Sequence, residues 1–170
     1  MGPRSAAVTP KQACTQGRSF VVVRHAEKAS TDKDPSLSDR GRARASVLAT
    51  MLGRAGVTRL IATEYKRTRE TLAPLAEKLS LTVEVKPANE TRDLISELRS
   101  SADGTIAVVA THSNVLPLLV TELSGARLRG VEDNALAESD FSRVVVITEP
   151  CGATKPSVME LCSDGSSHEP

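Results

Sequence analysis

Aromatic residues are scarce in this chain of 170 residues, which has Phe20, Phe141 and Tyr65 but no tryptophan. Its core must therefore be aliphatic, and a platform for stacking nucleic-acid bases, which needs rings, is excluded. Net charge is also nearly absent, at +1. That leaves no bulk attraction to nucleic acid or to an anionic membrane, so any anion site has to be built locally. No apolar run approaches the roughly 18 residues of a membrane span. The first 19 residues lack the apolar centre of a signal peptide, and Ala6 stands where a myristoylation motif requires Ser or Thr. This leader reads as a flexible tail, and the compartment stays open between cytoplasm and export. Cysteine is limited to Cys14, Cys151 and Cys162, without any C-x-x-C pair, so zinc finds no ligand spacing. Cys151 and Cys162 flank a short segment that a disulfide would close in an oxidising compartment. Three free thiols are the alternative, and Cys14 has no evident partner.

Against these absences stand short β-branched runs that alternate with helical periodicity. Strands are expected at 19–24, 59–63, 82–86, 105–111, 143–148 and 157–161. Helices are expected at about 39–55, with Ser38 as N-cap, and at 67–79, 91–101 and 114–123. On the first helix Ala43, Val47, Leu48, Met51 and Leu52 are the apolar candidates. On the second they are Thr71, Leu72, Leu75, Ala76 and Leu79. Alternating strands and helices imply an α/β three-layer sandwich, in which a mostly parallel central sheet carries helices on both faces. The expected organisation is a tail at 1–18, one folded domain at 19–162 and a tail at 163–170.

In such sheets ligands bind beyond the carboxyl ends of the strands. Three strand ends here are polar or charged: Arg24-His25, Thr63 to Arg67, and Thr111-His112. Of the three histidines, His168 lies in the polar tail and is taken as incidental. Either remaining histidine alone would be an ordinary structural residue. Two of them, each closing an apolar strand near an arginine, point to a site.

The motifs are specific. "RHAEK" (24–28), "LSDRGRARA" (37–45), "TEYKRTRET" (63–71) and "VVATHSN" (108–114) follow one another in that order. Together they resemble the histidine phosphatase superfamily, whose fold is phosphoglycerate mutase-like, over about residues 19–148. "RHAEK" with "THSN" resembles a small bacterial branch of it. Alanine at 26 replaces the usual glycine. The resemblance implies a metal-independent phosphomonoester hydrolase with no cofactor and a phosphorylated small molecule or phosphoprotein as substrate. It makes His25 the nucleophile that becomes phosphohistidine, Arg24 and Arg67 the forks that grip phosphoryl oxygens, and His112 a hydrogen-bond donor to them. Such forks suit a phosphoryl group because transfer is mostly positioning and charge stabilisation.

The proton donor is less defined. One branch of the superfamily has Asp directly after the second histidine, where this chain has Ser113. The resemblance points instead to Glu90, which opens a helix after the third strand, with Asp93 as fallback. A helix-start carboxylate complementing the helix dipole is the plain alternative for Glu90. Lys28 is either a third cation at the mouth or a solvated loop lysine. Ser113 and Asn114 either touch the phosphate or cap the following helix. His112 follows Arg67 by only 45 residues, too few for a lid, which favours a phosphatase over a phosphoglycerate mutase-type phosphotransferase. Two other classes are kept open. One is a phosphate- or phosphoprotein-binding member without turnover. The other is a metal site of His25, His112 and Glu27, which no ligand-spacing signature supports.

Overall fold

The computed structural model describes residues 16–152 and 155–163. Strand β1 (Arg18–Arg24) leads to helix α1 (Asp39–Leu52), then β2 (Arg59–Thr63), α2 (Lys66–Leu79), β3 (Val83–Lys86), α3 (Thr91–Arg99), β4 (Ile106–Thr111) and α4 (Val115–Ser124). A small hairpin of β5 (Val131–Glu132) and β6 (Ala135–Leu136) follows, then β7 (Arg143–Glu149) and β8 (Ser157–Cys162). Six strands form one sheet in the order β3-β2-β4-β1-β7-β8. Neighbours from β3 to β1 are parallel, and β7 runs against both β1 and β8. The expected α/β architecture holds, with β7 as the one reversed strand of this sheet.

The strand pleat sorts the apolar residues into two layers. Phe20 and Val22 pack with Ile61, Val109 and the inner faces of α3 and α4. Val21 and Val23 point the other way, onto Leu60, Ala62, Val108 and the α1–α2 pair. β1 is thus buried on both faces, as its unbroken valines require. β3 and β8 are the two edges, and Val85 on β3 is half exposed.

Some expectations shift. The buried face of α1 is Gly41, Ala45, Leu48, Ala49 and Leu52, while Ala43, Val47 and Met51 are exposed. The helix is turned so that Gly41 can meet the chain after His25. A Cβ on Gly41 would come within 2.3 Å of the Glu27 carbonyl oxygen, so only glycine allows that approach. The hairpin β5–β6 was not anticipated. Its turn residues Asp133 and Asn134 both take left-handed backbone, with φ of 47° and 62°, as a tight hairpin demands.

Both cysteine readings fail. Cys162 is a free thiol and Cys151 is disulfide-bonded, so no bridge joins the two. The β7–β8 pairing explains this. Cys162 lies opposite Arg143, at the far end of the ladder from the connection that holds Cys151. It is five residue steps along β8 from Ser157, roughly 17 Å, well beyond disulfide reach. The expectations for Cys14, His168 and most of both tails fall outside the described residues. No helix among the described residues is long and apolar enough to cross a membrane.

Candidate active site

The sheet order sets β4 between β2 and β1. Parallel pairing therefore brings Arg24-His25, Thr63 to Arg67, and Thr111-His112 to the same edge of the sheet. The side chains form a continuous row. Arg67 lies over the Tyr65 ring, 4.3 Å from its centroid. Tyr65 meets His112 edge-on at 5.3 Å, and His112 meets His25 at 5.6 Å. His25 lies 6.1 Å from Phe141, and Arg24 stands 4.2 Å over that ring. Two of the three aromatic rings of the chain thus sit under the two arginines.

His25 is buried, with 4% of its surface exposed. Its Nδ1 lies 2.8 Å from the Ala26 carbonyl oxygen. A carbonyl only accepts, so Nδ1 carries the proton and Nε2 keeps its lone pair. Burial lowers the His25 pKa to about 3, and the charges of Arg67 and Arg24 push the same way against the Ala26 hydrogen bond. His112 is lowered to about 4, first by burial and then by Arg67, while Glu64 opposes. Both rings are neutral at pH 7.

The orientation of His112 follows from a hydroxyl relay. Thr68 Oγ1 donates to the carbonyls of Thr63 and Tyr65. Its hydrogen is spent, so in the 2.9 Å contact with Thr63 Oγ1 it accepts. Thr63 Oγ1 in turn accepts from His112 Nε2 at 3.1 Å. The single N–H of neutral His112 is therefore on Nε2.

Arg24 is 4% exposed. Its Nη1 donates to the carbonyls of Ala137, Glu138 and Asp140 at 2.8, 3.2 and 3.2 Å. Its Nη2 reaches the Glu138 carboxylate at 3.3 Å. Its Nε is buried without a hydrogen-bond partner, and so is that of Arg67. A buried unpaired N–H is costly, and the two here leave donors on both arginines without an acceptor.

The frame beneath is tied together by polar contacts. Thr71 Oγ1 accepts from the Ala26 N–H at 2.9 Å and donates to the Arg67 carbonyl at 2.7 Å, joining α2 to the end of β1. Ser38 caps α1, with its Oγ accepting from the Gly41 N–H and its own N–H donating to the Glu27 carbonyl. The Glu27 carboxylate binds Arg44 through both oxygens and Arg40 at 3.0 Å. Burial alone would raise its pKa, but the Arg44 hydrogen bonds hold it below the usual carboxylate value. Glu27 is thus committed to arginines and not to the histidines, and no group able to hold a metal occurs among the described residues.

Other expected site residues lie further out. Glu90 is exposed at the N-cap of α3 and makes no side-chain capping bond. Asp93 is exposed in the next turn. Lys28 is exposed, and its backbone bridges to Leu37. Asn114 occupies the N-cap of α4 without a side-chain cap, and lines a cleft of about 710 Å³ with Arg127, Asp133 and Asn134. Ser113 contributes its carbonyl, which accepts from the Leu136 N–H and seats the small hairpin. Reading the sequence missed Tyr65, Thr68, Phe141 and the 137–140 segment as parts of this site. Only the two rings left a signal, being rare.

Comparison with known proteins agrees with this picture. The family model described as histidine phosphatase superfamily (branch 1) matches residues 20–90, which include Arg24, His25 and Arg67. None of the curated proteins matches the sequence significantly. Among solved structures, the protein histidine phosphatase SixA in complex with tungstate is similar with a TM-score of 0.65 at 16% identity, over 86% of this chain and 97% of that one. A mycobacterial glucosyl-3-phosphoglycerate phosphatase gives 0.61 at 17% identity, over 78% and 91%. Phosphoglycerate mutase from Plasmodium falciparum gives 0.65 at 14% identity, over 92% and 96%. The family model thus covers the first three motifs, and the fold is shared with these solved structures along most of their length.

Proposed function

We propose that the protein is a metal-independent phosphomonoester hydrolase working through a phosphohistidine on His25. The observation that carries this reading is the pair of buried, unpaired Nε–H groups of Arg24 and Arg67 beside a neutral His25. On a guanidinium, Nε–H and the nearer Nη–H form one flat edge that fits two phosphoryl oxygens. The two arginines neutralise the dianion and hold phosphorus in front of His25 Nε2. Nε2 attacks in line, the ester oxygen departs, and water then opens the phosphohistidine. His112 adds its Nε2–H to a phosphoryl oxygen as charge builds, exchanging Thr63 for it.

The substrate class is a phosphorylated small molecule or a phosphoprotein. Structural neighbours of this fold include a sugar-phosphoglycerate phosphatase and a protein histidine phosphatase. The short α2–β3–α3 stretch between Arg67 and His112 leaves no segment for a lid, which favours water as phosphoryl acceptor over a retained second substrate. The test is hydrolysis of p-nitrophenyl phosphate in excess chelator by the wild type and by His25→Ala. Turnover by the wild type and its loss in the variant, with an unchanged melting temperature, is the expected outcome. Phosphate binding without turnover in the wild type would reduce the protein to a binding module, and near wild-type turnover in His25→Ala would remove the nucleophile.

A further inference from the structure

In-line transfer fixes where a proton is needed. Nucleophile, phosphorus and leaving oxygen lie on one line, so the leaving oxygen is on the side away from the nucleophile. His25 is buried at the floor of the site, and the leaving oxygen therefore faces the mouth. Its proton donor must be an exposed acid held beside the arginines.

The acids near the site are mostly committed elsewhere. Glu27 is held by Arg44 and Arg40. Glu64 Oε2 accepts from the Ala88 N–H at 2.7 Å. Asp140 is paired with Arg143. Glu90 is exposed at the start of α3, where its neighbours Ala88 and Thr91 line a pocket with Thr63 and Thr111, and no hydrogen bond or ion pair among the described residues fastens its carboxylate to either arginine. Glu138 differs from all of these. Its carboxylate is 88% exposed and reaches Arg24 Nη2 at 3.3 Å. Its own backbone carbonyl accepts from Arg24 Nη1 at 3.2 Å, between the flanking contacts from Ala137 and Asp140. The main chain of the residue is fastened to the guanidinium, and its carboxylate adds a contact at Nη2 of the same group.

We infer that Glu138 is the proton donor to the leaving oxygen, an inference that rests on the phosphatase reading above. A phosphoryl dianion arriving at the Nε/Nη2 edge takes the place of the Glu138 carboxylate. Two negative groups then lie side by side, and a proton between them relieves the repulsion. As the His25 Nε2–P bond forms, the P–O ester bond breaks and its electron pair stays on the leaving oxygen. The Glu138 proton moves to that oxygen and releases a neutral alcohol. The resulting carboxylate takes a proton from the water that attacks phosphohistidine, inorganic phosphate departs, and His25 recovers its lone pair.

The test uses the full chain, glycerol phosphate as an ester with a poor leaving group, and p-nitrophenyl phosphate as one with a good leaving group. Glu138→Gln keeps an oxygen for Arg24 but has no proton to give. It should lower kcat/KM for glycerol phosphate by about 10²-fold or more. The loss on p-nitrophenyl phosphate should be at least about tenfold smaller, so the preference for the aryl ester rises, and Glu138→Asp should recover part of the alkyl rate. Equal losses on both esters would make Glu138 a positioning residue for Arg24 and overturn the inference. No loss on either, or the same selectivity change in Glu90→Gln but not in Glu138→Gln, would overturn it as well. Failure of the wild type to hydrolyse both esters is seen before any Glu138 variant is made, and brings down the phosphatase reading itself.

Discussion

The guanidinium of Arg24 has one end filled by three carbonyl oxygens and is almost wholly buried, whereas that of Arg67 is half-buried against the Tyr65 ring. Both end in an unpaired Nε–H. Arg24 is thus held by the fold, through the segment before β7. Arg67 rises from the first turn of α2 and rests on a ring that constrains its height but not its rotation. One fork is preorganised and belongs to the core, and the other is left room to adjust, on the proposed reading to a phosphoryl group. The motifs that the two arginines sit in resemble equivalent grips, but their surroundings are not equivalent.

Replacing each with alanine tests that difference most strongly. Arg24→Ala should lower kcat/KM by about 10³-fold and also destabilise the fold by about 3 kcal/mol, because three carbonyls lose their donor. Arg67→Ala should cost a similar factor in activity with little change in melting temperature. Equal destabilisation by both would erase the contrast. Lysine substitutions refine it, since an ammonium cannot present a flat edge. Arg24→Lys should lose more activity than Arg67→Lys, by about tenfold, when p-nitrophenyl phosphate kinetics are compared.

The rings give a smaller effect. Tyr65→Leu and Phe141→Leu each remove a cation–π contact worth about 0.5–2 kcal/mol. We expect Tyr65→Leu to raise KM several-fold at nearly constant stability. Phe141→Leu should lower stability as well, since its ring lies against both Arg24 and His25. The same KM and stability changes in both variants would contradict the contrast.

Acid pH acts on the histidines between the two arginines. Both pKa values are lowered, to about 3 and about 4, so the folded state binds protons more weakly than the unfolded chain, where histidine titrates near 6.5. The stability contributed by the neutral rings is complete above about pH 6.5 and is lost as pH falls toward those values. Thermal unfolding should show a decline from pH 6.5 to 4 that is shallower in His25→Ala. Imidazole NMR signals of His25 and His112 should not move between pH 6 and 8. A titration midpoint near 6.5 for His25 would mean that it is not shielded as described.

Much of this molecule was legible in advance because its signals are local. Valine runs gave the central strands, Ser38 gave the start of α1, and the charged strand ends at Arg24-His25, Arg67 and His112 pointed to one edge of the sheet. What stayed hidden was carried by the backbone or by packing. The cradle of Arg24 consists of carbonyls at 137, 138 and 140, a contribution any residue type can make, in a stretch without periodicity. The α1 face was misassigned because Gly41's approach to Glu27, and not apolar content, sets the helix rotation. Thr71 reads as a member of a helix face, while its hydroxyl binds Ala26 and Arg67, and Thr68, whose hydroxyl meets Thr63, gave no signal in the sequence. Cysteine pairing was misjudged because the spacing between Cys151 and Cys162 does not show which ends of the β7–β8 ladder they occupy.

The central claim is that His25 Nε2 accepts the phosphoryl group. Rapid acid-free quenching of the wild type during turnover, followed by mass spectrometry of the peptide carrying residue 25, tests it directly. The account predicts an added phosphoryl group on His25 that is acid-labile, alkali-stable and absent from His112. Burst-free turnover with no phosphate on His25, or a phosphoryl group trapped on His112 instead, would contradict it.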